Sequence, residues 1–226
     1  AFILNQLSSL TLGNHVQGIG TSAFENGNLH TLIIPDSTVN IGDSAFANNN
    51  IKQLTWGKSV KTIGSSAFIN NALTNNLTLP NSVVSIGTSA FENNDIGGLN
   101  LGASILNISD NAFKSNNLQS INSKDRIANI GNGAFSAQKS LTVDVSSTET
   151  AILDIKKTIQ AKLGLKNLNL NSLNFTDLSG AKWSYSEISD SLTPPGGKIN
   201  SGKMDLILTS SGAETGQYGT IDLVLN

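Results

Sequence analysis

The chain has no cysteine, only two histidines and one methionine, and few charges: 13 % of its 226 residues are Asp, Glu, Lys or Arg, with a formal net charge of −2. Without cysteine there is no disulfide framework, no thiolate metal site and no thiol nucleophile. The charges are balanced as well as sparse. Residues 1–139 carry seven basic and seven acidic side chains, and residues 140–226 carry seven and nine. Neither half offers the basic footprint that nucleic acid or an anionic membrane surface requires. No apolar run is long enough to cross a bilayer. Aromatic residues make up 5 % of the chain, and the phenylalanines among them are not scattered.

Ala-Phe recurs at Ala1-Phe2, Ala23-Phe24, Ala45-Phe46, Ala67-Phe68, Ala90-Phe91, Ala112-Phe113 and Ala134-Phe135. The spacings are 22, 22, 22, 23, 22 and 22 residues. A fixed period of this length is the mark of a solenoid, in which each unit buries its apolar side against its neighbours. Other slots keep the same register. Leu7, Leu29, Ile51, Leu73, Ile96 and Leu118 fill one. Pairs two residues apart fill the next: Leu10 and Leu12, Leu32 and Ile34, Leu54 and Trp56, Leu77 and Leu79, Leu99 and Leu101. A spacing of two is the side-chain period of a strand. Ile19, Ile41, Ile63, Ile86, Ile108 and Ile130 come third, usually followed by glycine (Gly20, Gly42, Gly64, Gly87, Gly131), which serves either a backbone conformation closed to other residues or a close approach of two segments. Asn5, Asn49, Asn71, Asn94 and Asn116 lie four residues after the alanine, where a stack of amides can satisfy turn backbone groups along the coil.

The unit L-x-x-L-x-L-(P)-x-S-V-x-x-I-G-x-x-A-F-x-x-N resembles the BspA-like class of leucine-rich repeat. Its sharpest copies are LTLPNSVVSIGTSAFENN (Leu77 to Asn94) and LIIPDSTVNIGDSAFANN (Leu32 to Asn49). Ser123 and Ser109 depart from the pattern, which blurs after Phe135. The resemblance implies a leucine-rich repeat solenoid over residues 1–139, its strands stacked in one parallel sheet. Because Ala1-Phe2 already occupies a mid-repeat slot, the array is expected to be truncated at its N-terminus.

The register stops after Ser140. LTVDVSS (Leu141 to Ser147) alternates as a strand does. Thr150 is a candidate helix cap. A helix is expected from about Ala151, with Ile152, Ile155, Ile159 and Leu163 on one stripe and Gly164 as its stop. With LNSLNFTDLSG (Leu170 to Gly180) and GTIDLVLN (Gly219 to Asn226), this segment looks like a ubiquitin-like β-grasp module, as in mucus-binding proteins. The expected second domain is a small α+β unit over 140–226, broken by an insertion near 183–211. An immunoglobulin-like sandwich accommodates so amphipathic a helix poorly.

Motifs for chemistry dissolve into the repeat. GIGTSA (Gly18 to Ala23) matches a dinucleotide fingerprint without the strand–turn–helix context that fingerprint needs. GDSAF (Gly42 to Phe46) is the same slot one coil later. His15 and His30 have no nucleophile or carboxylate at suggestive spacing and read as surface residues. The sequence points to no catalytic residue, metal ligand or cofactor, and so to no enzyme.

The expected binding surface is the outward side of the stacked strands. Its rows are Ser9, Thr31, Gln53, Asn76, Gly98 and Ser120, and Thr11, Ile33, Thr55, Thr78, Asn100 and Asn122. These residues are small, polar and uncharged apart from the apolar Ile33. They are equally suited to be water-facing, strand-favouring fillers. Trp56 stands in a core slot. Trp183 and Tyr185 share a face of a further strand, where packing on the helix competes with glycan stacking. The resemblance implies a secreted or wall-anchored bacterial adhesin that meets a host surface protein or glycan, such as mucin or a matrix protein, with no nucleic acid and no membrane insertion. The alternative is a stalk that binds nothing.

Overall fold

The Leu-x-Leu segments form strands in every coil after the first, and so do the Ile-Gly slots. The computed structural model describes residues 2, 4, 6–122, 127–145, 155, 157–158, 161, 174–177, 184–186, 189–193, 202–210 and 213–225. Along the array the strands alternate between two rows. The first row consists of β1 (Gly18–Ile19), β3 (Asn40–Ile41), β5 (Thr62–Ile63), β7 (Ser85–Ile86), β9 (Asn107–Ile108) and β11 (Asn129–Ile130). They stack in that order, all parallel, with Ile19 beside Ile41 and so on to Ile130. The second row holds β2 (Thr31–Ile33), β4 (Gln53–Thr55), β6 (Thr74–Thr78), β8 (Asp95–Asn100) and β10 (Ser120–Asn122).

The single parallel sheet expected from the repeat is therefore two. The second row is itself in two pieces, β2–β4 and β6–β8–β10. Each coil turns the chain twice, and the two-residue strands before the glycines were too short for periodicity to reveal.

The phenylalanines pile up in a column. Phe2, Phe24, Phe46, Phe68, Phe91, Phe113 and Phe135 stack with ring centroids 5.3–5.6 Å apart and nearly parallel planes. From Phe46 to Phe113 they are fully buried. Offset stacking of this kind adds about 0.5–1.5 kcal/mol per pair to ordinary apolar burial. The leucines and isoleucines of the other slots close the same continuous core.

Glycine after isoleucine answers to close approach. A Cβ on Gly87 would lie 2.5 Å from the Ser65 nitrogen and 2.6 Å from the Gly64 carbonyl carbon of the coil beneath. Left-handed backbone falls elsewhere: on the residue before each alanine (Ser22, Ser44, Ser66, Ser89, Asn111, Gly133) and on the third residue after it (Asn26, Asn48, Asn70, Asn93, Ser115, Ala137).

The array runs directly into a second sheet. Its strands are β12 (Gln138–Val145), β13 (Asn174–Asp177), β16 (Gly202–Ser210) and β17 (Ala213–Leu225), in the order β12-β17-β16-β13. β12 and β17 are parallel, and the other two pairings are antiparallel. β14 (Ser184–Ser186) and β15 (Ser191–Thr193) form a separate antiparallel pair. Residues 183–211 are thus not simply an insertion. β16 is a central strand of the sheet, and its run of Met204, Leu206, Ile207 and Leu208 suits that place.

The expected strand at Leu141–Ser147 is β12, begun three residues earlier. Ile155, Lys157, Thr158 and Ala161 are helical. Ile155 is fully buried, in the cluster that also holds the array core. The amides of Ile155 and Lys157 donate to the carbonyl (3.2 Å) and carboxylate (3.1 Å) of Asp190. Thr150, Ile152, Ile159, Leu163 and Gly164 lie outside the described residues.

Candidate interaction face

Strand alternation turns most of the expected residues outward, while Gly98 is buried and Ser120 half-buried. Along β2, Leu32 points inward while Thr31 and Ile33 point out, Ile33 at 65 % exposure. Gln53 and Thr55 on β4, Asn76 and Thr78 on β6, and Asn122 on β10 are likewise exposed, and Asn100 on β8 is half-buried. Ser9 and Thr11 are exposed in the first coil, which forms no strand there. The pairing register sets Thr31 beside Gln53 and Ile33 beside Thr55. It also sets Asn76 beside Gly98 and Ser120, and Thr78 beside Asn100 and Asn122. Trp183 lies outside the described residues. Tyr185 sits on β14 opposite Leu192, in a different sheet from the other candidates.

The side chains of this face bond to one another. The Asn122 amide donates to the Asn100 carbonyl (2.8 Å), and the Asn100 amide donates to the Thr78 hydroxyl (3.1 Å). No charged group stands in either column. Among the described residues three ion pairs link coils elsewhere: Lys58–Asp36 at 3.5 Å, Lys114–Glu92 at 3.4 Å, and Lys139–Asp95. Lys58–Asp36 and Lys139–Asp95 are exposed and Lys114–Glu92 partly so, and such pairs are worth at most about 1 kcal/mol each.

The asparagine stack expected at the coil corner is present, and it is the main polar order of the interior. Asn49, Asn71, Asn94 and Asn116 each donate to two phenylalanine carbonyls, their own coil's and the preceding coil's. The Oδ1 atoms of Asn49, Asn71, Asn94 and Asn116 accept the backbone amides of Leu29, Ile51, Leu73 and Ile96, in that order, at 3.0–3.1 Å. Asn5 lies outside the described residues.

Sequence reasoning missed the last rung, Gln138, which takes the same role toward Leu118 and Phe113. The signal was there, since Gln138 stands four residues after Ala134. A second, exposed amide stack was also missed. Asn93 donates to Asn70, and Asn70 to Asn48, both at 2.7 Å.

His15 and His30 are exposed. Among the described residues the His30 ring hydrogen-bonds with the Asn28 carbonyl (2.9 Å) and the Asn50 amide (3.4 Å). Among the described residues no cluster of three or more His, Asp or Glu could hold a metal ion, and no helix is long and apolar enough to cross a membrane. Trp56, read as a core residue, is half-buried with its ring edge-on to Phe68 (5.6 Å) and Phe91 (6.4 Å).

With this geometry, the family model for BspA type leucine-rich repeat regions matches residues 1–117 and 62–189, in six copies. The chain belongs to that family. The family is found in bacterial surface proteins. The match runs past residue 139 into the second sheet. No curated protein and no solved structure matches the chain.

Proposed function

We propose that this chain is part of a bacterial surface adhesin that engages a host protein or glycan through the outward side of the second row of strands. The observation that carries this reading is two panels of uncharged, mostly exposed hydrogen-bonding side chains, Thr31 to Thr55 and Asn76 to Asn122, each set by strand register on the buried core. Hydrogen-bonding groups held in place beforehand lose little entropy when they bind. A secreted or wall-anchored location accords with the family's occurrence in surface proteins and with a cysteine-free chain. On this reading the role is non-enzymatic; the His30 ring has an amide and a backbone carbonyl as neighbours, Asn50 and Asn28.

Residues 140–226 form, on this reading, a separate ubiquitin-like β-grasp module that closes the array and spaces it from the wall. A first strand running parallel to the last, with helical residues after it, supports the assignment.

Binding of the purified chain to immobilised mucin, matrix proteins and a glycan array tests the proposal. Thr55→Lys, Thr78→Lys and Asn100→Lys together should abolish any response. A flat response of the parent chain across all three would contradict the proposal.

The alternative is a spacer that binds nothing. The mutual bonding of Asn122, Asn100 and Thr78 favours it, because these groups already satisfy part of one another's hydrogen-bonding capacity. A spacer predicts that the three lysines change nothing.

A further inference from the structure

The second row is interrupted at one place, between β4 and β6. In the coils to either side, Ile34 donates its amide to the Thr55 carbonyl (2.9 Å), Leu79 to Asn100 (2.9 Å) and Leu101 to Asn122 (2.8 Å). The equivalent amide here is that of Trp56, and it does not reach Thr78. Among the described residues no hydrogen bond crosses from residues 52–59 to residues 73–81. The two coils rejoin on both sides of this gap. Ala72 donates to Ile51 (3.1 Å) before it, and Ser82 Oγ donates to the Val60 carbonyl (2.7 Å) after it. The first row is unbroken at the same level, with β5 paired to β7, and Phe68 stacks on Phe91 at 5.3 Å.

Two sequence features meet at the gap. Trp56 takes a slot held by Leu12, Ile34, Leu79 and Leu101 in other coils, and its indole reaches both its own Phe68 and the next coil's Phe91. It therefore occupies space that belongs to the level above. The coil above is the one with 23 residues. Its extra residue lies between Leu73 and Leu77, where Asn75 adopts a left-handed φ of 60° and the β6–β8 register shifts by one. The pairing passes from Asn75–Ile96 to Asn76–Gly98 and skips Gly97 of β8, and an irregularity of this kind bends and twists the strands locally. On its other side β6 packs closely on β8, where Gly98 makes room for Asn76: a Cβ there would fall 2.1 Å from Asn76 Oδ1. Trp56 Nε1 is buried beside the gap without a partner.

We infer that the array carries a hinge at this level. The coils up to β4 and the coils from β6 onward are joined through the β5–β7 row, the amide ladder and the phenylalanine column, while the β4–β6 side is free to open and close. Bending there changes the angle between two panels of the outward face, Thr31 to Thr55 and Asn76 to Asn122. The inference stands whether or not that face binds a ligand.

The absence of cysteine makes the test direct. Spin labels on Thr31→Cys and Asn122→Cys report the second row, and labels on Asn40→Cys and Asn129→Cys report the first. Pulsed dipolar spectroscopy should give a clearly broader distance distribution for the second-row pair. Amide exchange should show protection lost at Trp56 and kept at Ile34, Leu79 and Leu101. Deleting Asn75 together with Trp56→Leu restores a 22-residue coil and a leucine slot, and should narrow the second-row distribution to the width of the first. Equal widths in the parent chain, or a protected Trp56 amide, would overturn the inference. If the shortened variant does not fold, the two labelled parent chains and the exchange data still decide the question.

Discussion

Gln138 Oε1 accepts the amide hydrogen of Leu118 at 3.0 Å, as Asn116 does for Ile96 at 3.1 Å one coil earlier. Gln138 is also the first residue of β12. The last rung of the array's amide ladder is therefore the first residue of the second sheet, and the two parts are joined by a buried polar contact as well as by the chain itself. Gln138→Ala leaves the Leu118 amide and the Phe113 carbonyl without this partner, and should cost about 1–3 kcal/mol. Chemical denaturation gives the total, and faster exchange at Leu118 shows that the loss is local. A change confined to residues beyond 145 would contradict this coupling.

The glycines after isoleucine separate into one that is spatially free and others that are not. Gly87→Ala drives a methyl group against backbone at 2.5–2.6 Å and should destabilise the chain by about 1–3 kcal/mol. Gly20 of this chain has nothing within 4 Å of its would-be Cβ. Gly20→Ala should stay within about 0.5 kcal/mol of the parent. Similar values for the two would mean that backbone conformation, and not stacking, selects glycine in this slot.

Ser66 holds a left-handed φ of 54° in the slot that Gly133 fills near the end of the array. Ser66→Gly relieves that conformation at some cost in unfolded-chain entropy, for a net gain of up to about 1 kcal/mol. Ser66→Val, branched at Cβ, should lose stability. Thermal melts of the two variants should shift in opposite directions.

The repeat array was legible because its signals are redundant: the 22-residue period, the paired leucines, Ala-Phe and the asparagine slot all demand the same coil. The outward columns followed from strand alternation alone. What stayed hidden depends on contacts between coils. Two-residue strands such as Asn40–Ile41 have no periodicity to detect, so the first row was invisible. The 23-residue spacing was visible as a number, but its meaning lies in Trp56 intruding on the next level, which only packing reveals. Gln138 was missed because it departs from asparagine where the repeat fades. Beyond Ser140 no repeat constrains the reading, and β16 fell within a segment expected to be an insertion. The role of the outward face was not legible at all. Small polar residues on a strand suit a ligand and water equally, and Trp183 falls outside the described residues.

The central claim is that coil stacks on coil through a buried ladder of side-chain amides. Native-state hydrogen exchange at the five amides bonded to that ladder, those of Leu29, Ile51, Leu73, Ile96 and Leu118, tests it most directly. The account predicts that all five are among the slowest in the array, and that Asn94→Ala selectively releases Leu73. Five amides exchanging as fast as those of exposed turns would contradict it.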